Sequence, residues 1–575
     1  MEWQLLFEEE LKGYIVRNSR KKLKENNIEP RMIWDDTVAP PSIVQMWIGQ
    51  CTKVHQDCRP AALDRIRYDK GENLKALMPN ILFIDVVDDR IVEGNLHVKY
   101  AALSYVWGGV TQELALRDNI QSLKKKRALR SPFLKIPQLV RDAMAFAYSI
   151  NIRYLWVDAL CIIQDDSSKH DTLTRMDMIY NLAHLTIVAI DSTSANSQLP
   201  GVERQSRYHP HPELKTKADW FHTRPSTNVD SHIKSTVYSS RAWTFQEELL
   251  STRCLYMTKT QMFFRCRTAV WAETAPVKNL GQQADPCRRM WGNLHGADRV
   301  QAYREVLCNY TERKLSCSTD VLDAFAGVTA SLSNDTDWQF VDGMLLQHLP
   351  SELLFIHEGE HARRLGPDGR PCFPSWAWAG WTGRVTWARS DTDSSSGDED
   401  GVLEILSKDH GPPMMNDIAI SLTDAALARV QAQTFRRRRD SISITPNAPK
   451  VQLQLQPDPS QQRTLLCFQS HLISANDLEF SVREKCHVLS NSRPTGITYD
   501  LHSGGRWVGI LFSHGEEWIQ SVRHQGKTIW FVQITERGAL MIQTRSGDGY
   551  SERVGVAFFG ENIFGYSLTQ TVVLI

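Results

Sequence analysis

Three residues able to bind a metal stand close together at Cys51-x-x-x-His55-x-x-Cys58, a spacing that suits metal coordination. Structural zinc takes four protein ligands, and no fourth is evident nearby in the chain. The same three residues share one face of a helix and suit packing equally well, so no metal is assigned from the sequence. Cys161 is a second candidate, since a thiol beside a histidine can act as a nucleophile. His170 and His184 bring no recognisable orienting partner, and the reading is a buried structural thiol. There is no GxxxxGK[ST] stretch and no GxGxxG after a strand, so neither P-loop nucleotide hydrolysis nor a dinucleotide fingerprint is supported. The aromatic blocks are not interleaved with a basic stripe, which argues against nucleic acid as a partner.

These residues lie within a recurring pattern of apolar runs. Ile81 to Val87 is β-rich, and HVKYAALSYVWGG reads as a strand running to Gly108 and Gly109. Pro137 opens a helix with Leu139, Val140, Ala143, Phe146 and Ala147 at helical spacing. RYLWVDALCII reads as one continuous strand buried on both faces. Asp171 is placed as the cap of a second helix carrying Leu173, Met176, Ile179, Tyr180 and Ala183, and HLTIVAIDS follows as a strand. Strand, helix, strand, helix, strand implies right-handed βαβ units and a parallel sheet. A polar insertion at 196–238 precedes a helix with Ser240 as its expected N-cap and Trp243, Gln246, Glu247 and Leu250 on one face. The expected division is an N-terminal segment 1–44, an α/β domain 45–300, a helical region 301–389, an acidic serine-rich linker 390–401 and a β-rich C-terminal region 402–575. A disordered insertion is expected at 435–463, where an RRRR run and a Gln/Pro-rich tract fall.

With 575 residues the chain needs more than one core, and its 42% hydrophobic and 23% charged content is ordinary for globular domains. Lysine plus arginine equals aspartate plus glutamate at 66 each, so no global field steers it to nucleic acid or an acidic membrane. MEWQLLFEEE lacks the basic start and apolar core of a signal peptide, and no apolar run approaches the length of a membrane span. Eleven scattered cysteines fit reduced thiols, and a cytoplasmic location is expected.

Three blocks carry a family resemblance: YAALSYVWGG at 100–109, LWVDALCIIQDD at 155–166 followed by Met176-x-x-Ile-Tyr180, and RAWTFQEELLS at 241–251. In order and spacing they resemble the three hallmark motifs of the heterokaryon incompatibility (HET) family. The upstream Cys51/His55/Cys58 stretch resembles the family's leader, and YTERKLSCSTDVLDAFAGV and FPSWAWAGW its trailing blocks. Two departures stand in the second motif, where Ile163 replaces a usual asparagine and SSKHD a usual Glu-Arg pair. The resemblance implies an effector of fungal non-self recognition and programmed cell death, which signals through self-association or a partner signalling protein.

HET domains in turn resemble the TIR fold, a flavodoxin-like parallel sheet with flanking helices. That likeness implies an α/β domain whose Trp243-x-x-x-Glu247 matches the tryptophan and glutamate of TIR enzymes that cleave NAD, making NAD a substrate and Glu247 catalytic. Breaking the nicotinamide–ribose bond builds positive charge on the sugar, which a carboxylate stabilises. Ser104, Tyr105, Trp107, Gly108 and Asp158 would line the crevice at the carboxyl ends of the strands. Trp107 and Trp243 offer faces for a base or nicotinamide ring, and Gly108-Gly109 lets backbone approach a phosphate. Two bland readings stand beside these. Glu247 fits equally as an acid in the first turn of a helix, and Asp158 as a loop cap. The functional alternative is a non-catalytic, self-associating interaction module. No cofactor is expected.

Overall fold

The computed structural model describes residues 38–58, 81–166, 169, 172, 176–204, 206–207, 229–273, 294, 296–336, 338–387, 413–424, 426–428, 451–455, 464–483, 498–513, 529–544, 549–560, 562–565 and 567–575. Asp171, Leu173, the linker 390–401 and most of 435–463 lie outside these residues. The chain divides into two compact units, Met1–Gly292 and Asn293–Ile575.

The first unit is built on an eight-stranded sheet in the order β2-β1-β4-β3-β5-β6-β7-β8. Its strands are β1 (Ile81–Asp85), β2 (Arg90–Gly94), β3 (Tyr100–Ser104), β4 (Tyr154–Trp156), β5 (Leu185–Val188), β6 (Arg253–Met257), β7 (Met262–Cys266) and β8 (Val270–Ala272). Pairings β3–β4, β3–β5 and β5–β6 are parallel, with Ala102 opposite Trp156 and Ser104 opposite Val188. The outer pairings are antiparallel. The sheet is therefore mixed, and the expectation of a parallel sheet holds only for its centre. The reason is connection length: β1 to β2 and β6 to β7 return through short turns, which can only produce antiparallel neighbours. Thr258, whose amide donates to the Gln261 carbonyl at 3.2 Å, closes the β6–β7 turn.

Helices of this unit include α1 (Pro41–Val54), α2 (Gln138–Ser149), α3 (Asp158–Cys161), α4 (Met176–Leu182), α5 (Val229–Lys234) and α6 (Ala242–Leu250). Leu139, Val140, Ala143, Phe146 and Ala147 of α2 are all buried, as their spacing predicts. The apolar run from Arg153 to Ile163 is not one strand. It leaves the sheet after Trp156, because the Asp158 carboxylate accepts the Ala159 amide at 2.7 Å and the Cys161 amide reaches back to Val157 at 2.7 Å, which starts α3. Trp156 and Leu155 are fully buried, Trp156 edge-on to Tyr180. Ser240 does not cap α6: its hydroxyl donates back to the Val237 carbonyl, and Arg241 takes the N-cap position without a side-chain cap.

Within the parallel set, β3 comes first in the chain and lies between β4, the second, and β5, the third, with β6 outside β5. The connections out of β3 and β4 thus run to opposite sides. A topological switch point results between the carboxyl ends of β3 and β5, where open α/β sheets place ligands.

The second unit opens with α7 (Gly296–Thr311) and α8 (Asp323–Asp335). Strands then follow where a helical region was expected: the pairs β9 (Phe340–Val341) with β10 (Met344–Leu345), and β11 (Ile356–Arg363) with β12 (Trp381–Thr386). Trp376 and Trp378 from the tryptophan-dense block are buried, and the Trp378 indole donates to the Gly343 carbonyl at 2.9 Å. Gly343 has φ +81°, and a Cβ there would lie 2.3 Å from Trp378, so two constraints demand glycine. The C-terminal region is β-rich as expected, with ten strands from β13 (Asn416–Leu422) to β22 (Leu568–Leu574). The pairings among β15 (Leu465–Ser474), β19 (Ile529–Gln533), β20 (Gly538–Thr544), β21 (Ser551–Phe559) and β22 close into a ring. Within the expected disordered insertion, Gln452–Leu455 instead form β14, parallel to β13, consistent with the alternation of VQLQLQ.

Candidate functional site

Ser104 ends a strand whose five residues are all buried, so its hydroxyl emerges at the carboxyl edge of the sheet with no access to water. There it donates to Glu247 Oε2, and its Oγ lies 2.6 Å from the Tyr238 hydroxyl. Glu247 is brought to this point by α6, six places along from its Arg241 cap, and is only 7% exposed. Asp158 approaches from the end of β4. Its Oδ2 accepts the Trp107 indole N–H at 2.9 Å and its Oδ1 the Ala159 amide at 2.7 Å. Asp158 keeps partial contact with solvent at its place in the sequence of buried neighbours.

The two carboxyl groups act on each other. Burial pushes Glu247 up to about 7, and the negative charge of Asp158 pushes in the same direction. The hydrogen bonds of Ser104 and Tyr180 and the charge of Arg241 oppose the shift. Burial also raises Asp158, against the hydrogen bonds of Ala159, Trp107 and Tyr105 and the charge of Arg241. Desolvation favours the neutral acid, so a carboxyl poised near neutrality is the physical outcome of this setting.

A stability effect follows from the direction of that shift. Folded Glu247 holds its proton up to about pH 7, whereas its ordinary value is 4.5. Between those limits the folded state binds more protons than the unfolded chain, so stability falls as pH rises through the window. At 1.36 kcal/mol per pKa unit, the loss amounts to about 3 kcal/mol by pH 8. Glu247→Gln, which cannot ionise, is expected to lack this part of the slope in denaturant titrations at pH 5 and pH 8. Identical pH slopes in both proteins would contradict the assignment.

Of the residues singled out in the sequence, Ser104, Tyr105, Trp107, Asp158 and Glu247 come together. The Tyr105 hydroxyl donates to Gln112 Oε1 at 3.4 Å and feels the charges of both carboxylates. Gly108 is exposed and does not join them: a Cβ on it would lie 2.4 Å from Ser194 Cβ, and its φ is +68°. Glycine is required there by packing against the 193–194 backbone. Gly109, also at positive φ, has open space around it. Trp243 sits one turn before Glu247 and is half-buried, with no hydrogen bond or ring contact to the carboxyl pair among the described residues. Glu248, the next residue, is buried as well. It is 7% exposed and accepts the Tyr256 hydroxyl at 2.6 Å. Cys161 is the buried thiol expected, raised to about 12 by burial.

Tyr180, Tyr238 and Arg241 were not singled out as site residues. Tyr180 reads as core from its helical spacing, and Tyr238 lies at the edge of a polar insertion, where nothing in the local pattern marks it. A second cluster also emerges: the ligand atoms of Cys51, His55, Cys58 and Cys266 all lie within 4.8 Å of one another. The fourth member, missing from the neighbourhood of the first three, is supplied by β7, 211 positions beyond His55.

No curated protein and no solved structure matches the chain. The family model described as Heterokaryon incompatibility protein (HET) matches residues 100–247, a stretch that begins with the first residue of β3 and ends on Glu247. That stretch holds the whole Ser104, Asp158 and Glu247 cluster, and within it the chain carries a heterokaryon incompatibility domain.

Proposed function

We propose that this chain is an effector of fungal non-self recognition and programmed cell death, acting in the cytoplasm by cleaving NAD once its HET domains assemble. The observation that carries the reading is the meeting of Ser104, Asp158 and Glu247 at the carboxyl edge of the parallel strands, with Glu247 poised near neutrality. The order second, first, third, fourth of the parallel strands is that of a flavodoxin-like sheet, the class to which the TIR fold belongs. Among the described residues no helix is long and apolar enough to cross a membrane.

In this reading the bond between ribose C1′ and the nicotinamide nitrogen breaks, and its electron pair leaves with nicotinamide, which departs neutral. The sugar cation that develops is stabilised by the Glu247 carboxylate. Water adds to C1′, and its proton passes to Glu247 and then to solvent, giving ADP-ribose, nicotinamide and one proton. Ser104 holds the carboxylate in place, and Trp107 keeps Asp158 oriented. The experiment is nicotinamide release by purified, deliberately clustered protein, comparing wild type with Glu247→Gln. Release that depends on Glu247 supports the reading, and undiminished release by the variant removes it.

One observation favours a second reading. Ser104 is fully buried and Glu247 nearly so, and both have partners within the protein. That suits a structural lock inside a non-catalytic, self-associating module. Cell death that is lost on disrupting the oligomer, with cellular NAD unchanged throughout, would select it.

A further inference from the structure

We infer that Cys51, His55, Cys58 and Cys266 form a structural zinc site that fastens the leader helix α1 to the edge hairpin β7–β8. The four ligand atoms lie within 4.8 Å of one another, the grouping a tetrahedral ion requires. Zinc–sulfur bonds of about 2.3 Å and zinc–nitrogen bonds of about 2.0–2.1 Å set the sulfur–nitrogen edge of such a tetrahedron at about 3.6 Å. Cys266 Sγ lies 3.4 Å from His55 Nδ1. The three cysteines are free thiols, each buried, and none is engaged in a disulfide.

The surroundings are arranged as metal-bound thiolates need. The Ala269 amide donates to Cys266 Sγ at 3.3 Å, within the tight turn where the Cys266 amide reaches the Ala269 carbonyl at 2.9 Å. Thr268 Oγ1 lies 3.6 Å from Cys58 Sγ. His55 stacks on Trp271 of β8, which fixes the plane of its ring. The independent observation is Arg253. The residue is 5% exposed, and its guanidinium donates to Cys51 Sγ at 3.2 Å and to the Cys58 and His184 carbonyls. Among the described residues no carboxylate pairs with it. A buried cation needs an anionic counterpart. Three thiolates around one divalent ion carry a single net negative charge, and Arg253 stands where that charge would be.

The site lies outside the stretch matched by the family model and apart from the Glu247 cluster, so it stands or falls independently of NAD cleavage. The test is the metal content of the full chain purified without chelator, together with the spectrum after exchange of zinc for cobalt(II). The expected result is about one zinc per chain and a cobalt protein with tetrahedral d–d bands and sulfur-to-cobalt charge transfer. Cys266→Ser is expected to lose the metal. His55→Cys is expected to keep it, with stronger charge transfer from the added thiolate, which separates ligation from mere misfolding. Wild-type protein with neither zinc nor a tetrahedral cobalt spectrum overturns the inference, as does a disulfide among the three cysteines in the freshly purified chain.

Discussion

Glu273→Ala is expected to lower folding stability by about 3–5 kcal/mol, the range for breaking a buried ion pair by removing one partner. Glu273 follows β8 and is 6% exposed, and its partner Arg207 is 4% exposed. Arg207 Nη1 reaches both carboxylate oxygens, at 3.2 and 3.0 Å, and the Met262 amide donates to the same carboxylate at 2.7 Å. Alanine would strand a guanidinium in an apolar setting and leave a strand amide without its acceptor. The guanidinium has no room to swing away on the side of Gly201, whose Cβ position lies 2.5 Å from Arg207 Nε. Paired replacement by apolar residues, Arg207→Met with Glu273→Leu, is expected to recover most of the loss, because both desolvation costs vanish together. Urea unfolding of the three proteins measures this. A single variant as stable as wild type would show that the pair does not form.

The larger functional effect is expected at Glu247. Glu247→Gln keeps the size of the side chain and an oxygen to accept the Ser104 hydroxyl, yet it cannot carry charge. If the carboxylate stabilises the developing sugar cation, nicotinamide release by the clustered protein falls about 10²–10³-fold, the range seen when one preorganised electrostatic group is removed. The variant should fold at least as well as wild type above neutral pH, because ionising this buried group costs the folded state stability. Loss of activity therefore cannot be put down to loss of the fold.

The sequence revealed the carboxyl edge of the sheet better than its flanks. Ser104 and Glu247 were legible because each sits in a long apolar or amphipathic block that reads unambiguously as strand or helix. The parallel centre followed from alternating strands and helices. The antiparallel borders did not, since the turns at 86–89 and 258–261 lack the glycine signals that mark hairpins. The run through Trp156 to Cys161 reads as a single strand because apolar content alone cannot separate a strand from a buried helical turn. Gly108 suggested phosphate contact by type, whereas its tight packing on Ser194 is a tertiary fact invisible locally. Cys266 illustrates the same limit: only the fold brings it to Cys51, His55 and Cys58.

The most direct test of the central claim is the pH dependence of nicotinamide release by the clustered wild-type protein. With Glu247 held at about 7 and active as the carboxylate, the rate should climb through neutrality, half-maximal near pH 7, and level off above it. A rate that is flat from pH 5 to pH 9, and unchanged in Glu247→Gln, would contradict the claim.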